Sequence, residues 1–370
     1  MISDRIESDR VEQVRELERL ALRRLPSMQL ADGVFCAELR AGQSRPEGRS
    51  LRSTLIILLG LLRAEEHDFE HSFHLGALRS RVLSELGSEE LTPGDLGLAL
   101  WGESRAGGDA VGELVAALRT RLGRGMLDTL PSAEVGWVIT GLTEAGARVD
   151  LGEGEMLLDQ CRSQLITERR PREGLVTHAA RGPRKRLPSF ADQLFALLAL
   201  TQLARIREDV KAREAARSIG ELLLANQMPN GAWPWLFDPL RGTVVEPYEV
   251  CSVHQDALAM IAMHGLTEAT AEPRYREVAV AGLDWVYGGN ELGAQMFDRE
   301  ADLIYGSIRR KQRFPRAQQV RNAAAVYLRA APRPAAPKEL EIDRVMHSGH
   351  LGWLLEAWAG REHLARGSES

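Results

Sequence analysis

The sequence predicts an all-α chain folded as an (α/α)6 toroid of helical hairpins, and three observations carry that prediction. Apolar residues recur at helical spacing along most of the chain, strand-like alternation is scarce, and the helix formers Leu, Ala, Glu and Arg dominate. Six segments share one form, a small polar residue followed by an unusually apolar helix, as expected of capped helices buried on all sides. Between them lie amphipathic segments rich in Arg and Glu, which suit an outer, solvated ring.

Taken in order, residues 1–25 form an N-terminal helix whose alternating charges read as a solvated face. The six apolar helices start at Ser53, Thr92, Ser132, Ser189, Ser252 and Ser348. The amphipathic segments between them span 109–122, 155–167, 207–226 and 275–287. Cap-to-cap intervals of roughly 40 residues early in the chain lengthen to roughly 60 or more later, a helical-hairpin repeat with insertions before the last inner helices. The longer loops therefore mark the expected functional face. Residues 331–338, APRPAAPK, read as a stiff connector that positions the last helix.

Composition narrows the classes. The chain has 370 residues, 44% hydrophobic and 27% charged, enough to bury a large core, and repeat-built helical rings reach this length as a single domain, here 1–370. A net charge of −5 gives no reason to expect a nucleic-acid partner. Cys36, Cys161 and Cys251 are far apart and lack a CxxC spacing, so reduced thiols are expected. The N-terminus lacks the apolar core of a signal peptide, and the longest apolar stretch, Leu55 to Leu62, is too short to cross a bilayer. A cytoplasmic address with at most peripheral membrane contact is the expectation.

The densest chemistry lies in residues 233–256, which bring Trp233, Trp235, Tyr248, His254 and several acids into one loop. Asp238 to Gly242 reads as a turn with positive φ at Gly242, giving a hairpin-like lid. Ser252 and Gln255 fit a capping box, which puts His254 and Asp256 in the first turn of an inner helix. The functional reading joins Tyr248, His254 and either Glu246 or Asp256 as a proton-transfer group. Trp233 and Trp235 form the flat platform that a pyranose ring favours. Asp238 and Gln255 would touch the same ligand.

Inner helices of a toroid start at one end, so other first-turn residues should converge there: Glu134 and Trp137, Asp192 and Gln193, His350 and Trp353. Arg184 and Arg186, within the basic run 181–186, would meet an anionic group at the rim, as would the run 309–311. His347 and His350, with His254 or Cys251, have the types but not the full spacing of a zinc site, so neither metal nor cofactor is expected.

Gln227 to Trp233, QMPNGAW, resembles the QxxxGxW motif of the terpenoid cyclase and protein prenyltransferase superfamily. The resemblance implies a toroid in which Gln227 braces a helix end, Gly231 allows a tight turn and Trp233 stacks on neighbouring structure. The acidic DxDD and DDxxD signatures are absent, and aromatic residues make up only 5% of the chain, fewer than a carbocation cavity favours. The Trp-rich loop followed by Tyr248 and His254-Gln255 also loosely resembles helical-barrel uronyl epimerases, polysaccharide lyases and exopolysaccharide-associated proteins. The expected function is thus acid/base chemistry on an anionic sugar or glycan. A terpenoid cyclase-like enzyme acting on a prenyl substrate, or a non-catalytic glycan-binding protein, is the alternative.

Overall fold

The computed structural model describes residues 2–43, 45–88, 90–123, 125–311, 321, 324 and 335–366, without the side chains of 2–8 and 173. The connector residues 331–334 lie outside the described residues. The inner ring is formed by α2 (Leu51–Glu66), α4 (Pro93–Arg105), α7 (Ser132–Gly146), α9 (Phe190–Ile206), α11 (Ala259–Thr270) and α14 (Ser348–Trp358). A π-helical turn, His254–Leu258, leads directly into α11. Each inner helix packs on the next, and α14 returns to pack on α2, closing the ring.

The outer layer comprises α1 (Ile2–Arg24), α3 (Leu75–Leu83), α5 (Val111–Arg121), α8 (Glu153–Ser163), α10 (Val210–Asn226), and the pair α12 (Arg274–Val280) and α13 (Gly282–Val286). A short turn of helix, α6 (Met126–Thr129), precedes α7. The N-terminal helix packs on its own ring. Arg10 pairs with Asp284 at 2.7 Å, and the Tyr287 hydroxyl donates to the Gln13 carbonyl at 2.9 Å. The apolar inner helices are buried on nearly every side and the amphipathic outer ones on a single stripe, so apolar density alone separates the two rings.

Glycines set how closely the inner helices approach. A Cβ on Gly60 would lie 2.2 Å from the Gly352 carbonyl oxygen, and one on Gly136 would lie 2.4 Å from the Phe195 carbonyl oxygen. Backbone meets backbone at these crossings, so no side chain fits.

Connections from inner to outer helices are short, whereas those from outer to inner helices carry the insertions, so all the long loops lie where the inner helices begin. Here strand β1 (Glu38–Arg40) pairs antiparallel with β9 (Val345–His347). Strand β2 (Leu236–Asp238) pairs with β3 (Thr243–Glu246) as a hairpin. Strands β4 (Val250–Cys251), β7 (Ser307–Arg310) and β8 (Leu340–Asp343) form a three-stranded sheet, and β5 (Phe297–Asp298) pairs with β6 (Leu303–Ile304). No described helix is long and apolar enough to cross a membrane.

Four expectations about caps need correction: Ser132 and Ser348 are the first residues of their helices and not caps, and their hydroxyls donate to the Thr177 and Cys36 carbonyls. Ser50, not Ser53, caps α2, its hydroxyl oxygen accepting from the Ser53 N–H at 3.0 Å. Ser252 makes no capping box: its hydroxyl donates to the Tyr305 carbonyl at 2.6 Å, while the Gln255 amide accepts from Trp233 N–H and donates to the Cys251 carbonyl. Thr92 with Asp95 and Ser189 with Asp192 do form capping boxes.

Candidate active site

The first turns of the inner helices bring charged side chains together at the loop face. Arg52 of α2 binds Asp95 of α4 through Nε at 2.6 Å, reaches Glu134 of α7 at 3.3 Å, and lies 5.1 Å from the Trp137 ring centre. Glu134 accepts from the Gly94 N–H at 3.3 Å, and Asp192 of α9 accepts from the Ala133 N–H at 3.3 Å. Each of these carboxylates therefore joins two neighbouring helices, and the exposed N–H groups at a helix start favour it there. Asp192 also binds His178 Nδ1 at 2.9 Å, beneath the loop before α9.

The opposite arc holds two imidazoles. His350, in the first turn of α14, contacts Asp256 through Nε2 at 2.8 and 3.0 Å, and the Trp358 indole N–H donates to the Asp256 carbonyl. Burial of Asp256 pushes its carboxyl above the usual range, although His350 pulls the other way. His254 lies one turn before α11, edge-on to Phe190 at 5.2 Å, and its buried Nδ1 has no hydrogen-bond partner among the described residues. Burial, with the neighbouring His350, pushes the His254 imidazole down to about 4. His254 is therefore a neutral base with a lone nitrogen, beside an imidazole tied to a carboxyl.

A third group lies along β3, β4 and β7. Glu246 accepts from Arg310 and from Arg321, each at 3.1 Å, and Arg310 lies 5.2 Å from the Tyr248 ring centre. Burial and the adjacent Glu291 carboxylate push the Tyr248 hydroxyl up to about 12, so it stays protonated and keeps an O–H to donate.

Other expected site residues have structural roles. Trp233 is fully buried and stacks on Phe190 at 5.1 Å, so it is core and not an exposed platform. Trp235 is half-buried beside Leu187, Leu236 and Val245 and remains the aromatic surface of the pair. Asp238 closes the β2–β3 turn by accepting from Leu240 N–H at 2.9 Å, Gly242 has φ +65°, and β2 is buried throughout. The hairpin thus packs β2 against the fold. Gln193 is buried and clamps both the N–H and the carbonyl of Val176, and Gln255 ties Trp233 to Cys251. Both amides are buried and bound to backbone groups.

Trp353 packs between Trp101 and Phe195 inside the ring. Arg184 is exposed at the rim, and Arg186 is 3.8 Å from Asp238. In the second basic run, Arg309 binds Glu341 and Asp343 and Arg310 binds Glu246, so its charge is largely matched. Gln227 donates to the carbonyls of Gly231 and Val278, and Gly231 has φ +80°, so the QMPNGAW turn braces the end of α10 against α12. His347 is exposed while His350 is buried on Asp256. Among the described residues, no three His, Cys, Asp or Glu side chains converge to hold a metal ion. The sequence reading missed Arg52, Asp95, His178 and Glu291. Arg52 and Asp95 share the first-turn phase of Glu134 and Asp192, which is the signal that would have found them.

The closed double ring with long loops at the inner-helix N-termini defines an α/α toroid. No family model matches the sequence, and no curated protein matches it. Among solved structures, the chain resembles a sugar epimerase from a ruminal bacterium, with TM-score 0.64 and 10% identity, over 95% of this chain and 98% of that one. It also resembles an unsaturated glucuronyl hydrolase specific for heparin, with TM-score 0.61 and 14% identity, over 95% and 97% of the two chains. A glycoside hydrolase family 76 mannosidase from Bacteroides thetaiotaomicron gives TM-score 0.60 and 10% identity, over 97% and 99%. At these identities the likeness establishes the toroid fold. None of the three supports the terpenoid link that QMPNGAW suggested.

Proposed function

We propose that this chain is a carbohydrate-active enzyme that moves a proton at a sugar carbon, in an epimerase- or lyase-like reaction. The observation that carries the reading is the pair of imidazoles at the starts of neighbouring inner helices. His254 has the free lone pair of a base, and His350, coupled to Asp256, can return a proton from the other side. Tyr248 would donate to a sugar oxygen, and Trp235 offers an apolar edge to the ring. The fold's likeness to sugar epimerases and hydrolases supports a glycan substrate.

Hydrolysis fits less well, because it needs two carboxyl groups facing the bond, one of them protonated. Asp95 and Glu134 are bound by Arg52, and Glu246 by Arg310 and Arg321. The preference for an anionic sugar rests on a narrower base, the exposed Arg184 with Arg186 beside it. We treat the ring and its loops as one domain and place the enzyme in the cytoplasm.

The test is incubation of the purified chain with neutral and uronic-acid oligosaccharides in D2O, followed by NMR. Either solvent deuterium should enter one sugar C–H position, as in epimerisation, or cleavage should leave an unsaturated sugar with a new C=C bond, as in elimination, and His254→Ala should slow either by about 10²–10⁴-fold. New reducing ends with neither deuterium at carbon nor a new C=C bond would replace this reading with hydrolysis. Because His254 titrates at about 4, the rate should hold level from neutral pH down to about 5 and fall only as pH passes through about 4. An unperturbed imidazole would lose activity near pH 6.5.

A further inference from the structure

At the other end of the ring, where the inner helices finish, the structure encloses a second polar space. It is a cavity of about 210 Å3, walled by α2, α4, α7, α9, α11 and the turn after α14. Four arginines reach it: Arg63, Arg105, Arg205 and Arg361. Three have carboxylates at hand. Arg105 binds Glu356 at 2.9 Å, Arg205 binds Glu268 at 3.0 Å, and Arg63 is 3.9 Å from Glu66.

Arg361 differs. Among the described residues it has no carboxylate within ion-pairing distance, and its Nη1 donates only to the Glu356 carbonyl at 3.3 Å. Burial and the adjacent Arg63 lower its guanidinium to about 10, as expected for a cation whose charge is incompletely matched. The fourth acid of this region, Glu144, makes no ion pair among the described residues, and burial raises its carboxyl above the usual range.

One further polar group lacks a partner. Trp101 is 1% exposed, lines the cavity, and has a buried indole N–H without an acceptor among the described residues. His264 lines the same space with its Nε2 3.6 Å from Glu268 and its buried Nδ1 without a partner among the described residues, and burial among cations holds its imidazole neutral, at about 3. One unmatched guanidinium and one indole donor without an acceptor thus face one space. A neutral ligand would leave the charge of Arg361 standing, whereas an anion with several oxygens satisfies charge and donors together.

We infer that the cavity is a second ligand site, taking a small oxyanion of the phosphate or sulfate class, on the face opposite the loops. Arg361 supplies the charge, and Trp101 donates its indole N–H to one of the oxygens. Nothing in this inference depends on the chemistry of the loop face.

The experiment uses the full chain in phosphate-free buffer. Inorganic phosphate is titrated at constant ionic strength, balanced with chloride, and read by thermal shift and by calorimetry. Saturable stabilisation beyond that of chloride is expected, because a ligand that prefers the folded state raises its melting temperature. Arg361→Gln should weaken phosphate binding at least tenfold, and Arg361→Lys should restore part of it. If Arg361→Gln fails to fold, Trp101→Phe removes only the indole donor and should weaken binding two- to fivefold. Absence of saturable phosphate binding to the unaltered chain overturns the inference, as does undiminished binding by Arg361→Gln or by Trp101→Phe.

Discussion

Arg52 shows how much of the loop face depends on single side chains. Its guanidinium ties Asp95 to Glu134 at adjacent helix starts, so Arg52→Met leaves two acids facing each other with only backbone N–H groups and the Thr92 hydroxyl to hold them. Because Arg52 is 40% exposed, the expected loss is about 1–2 kcal/mol, below the value for a fully buried pair, and denaturant unfolding measures it. Glu18 is the opposite case. It is 1% exposed, both carboxyl oxygens lack a partner among the described residues, and burial, together with Glu362, raises it to about 8. Between pH 4.5 and about 8 the folded chain holds a proton that the unfolded chain has released, so this carboxyl makes stability fall as pH rises through that window. Glu18→Gln should remove that slope, raising the melting temperature at pH 9 by several degrees and leaving it nearly unchanged at pH 4.

At this scale the sequence was only partly legible. His254 and His350 could be named because both sit at fixed offsets from helix starts. Trp233 and Trp235, two residues apart in a loop, could not be told apart, since their exposure is decided by Phe190 and the β2–β3 hairpin, which are distant in sequence or irregular.

Among elements, the inner helices were legible because apolar density on every face has few other meanings. Their caps were less so. Ser53 and Ser252 look like caps locally, but Ser50 lies closer to the true start of α2, and the Ser252 hydroxyl finds the Tyr305 carbonyl 53 positions away. The glycine crossings were not read as a signal, yet they determine how near the inner helices come. A Cβ on Gly352 would sit 2.6 Å from the Ile56 carbonyl oxygen and 2.7 Å from the Ile57 Cα, both backbone atoms with little freedom to move. Gly352→Ala should therefore lower stability by about 2–3 kcal/mol, although alanine is the better helix former, and chemical denaturation would show it. A neutral or stabilising result would mean that the α2–α14 contact is looser than this packing.

Across the whole molecule, the lengthening intervals between caps were the legible feature, since insertions accumulated on one face and left the other with short turns. The partners inside those insertions were not legible. Glu246, Arg310 and Tyr248 meet only because β7 pairs with β4, and neither short strand has a length or alternation that marks it in sequence.

The seam between the first and last inner helices also orders events in time. β1 pairs with β9 across it, and the Ser348 hydroxyl donates to the Cys36 carbonyl, 312 positions away. Contacts so distant form slowly, because a long stretch of chain must be gathered before they contribute anything. His350 travels with the last helix, so Asp256 waits for its partner until the circle shuts. A refolding chain would regain helical circular dichroism first and turnover afterwards. No half-built form could carry the imidazole pair, so the chemistry proposed for it belongs to the closed ring alone.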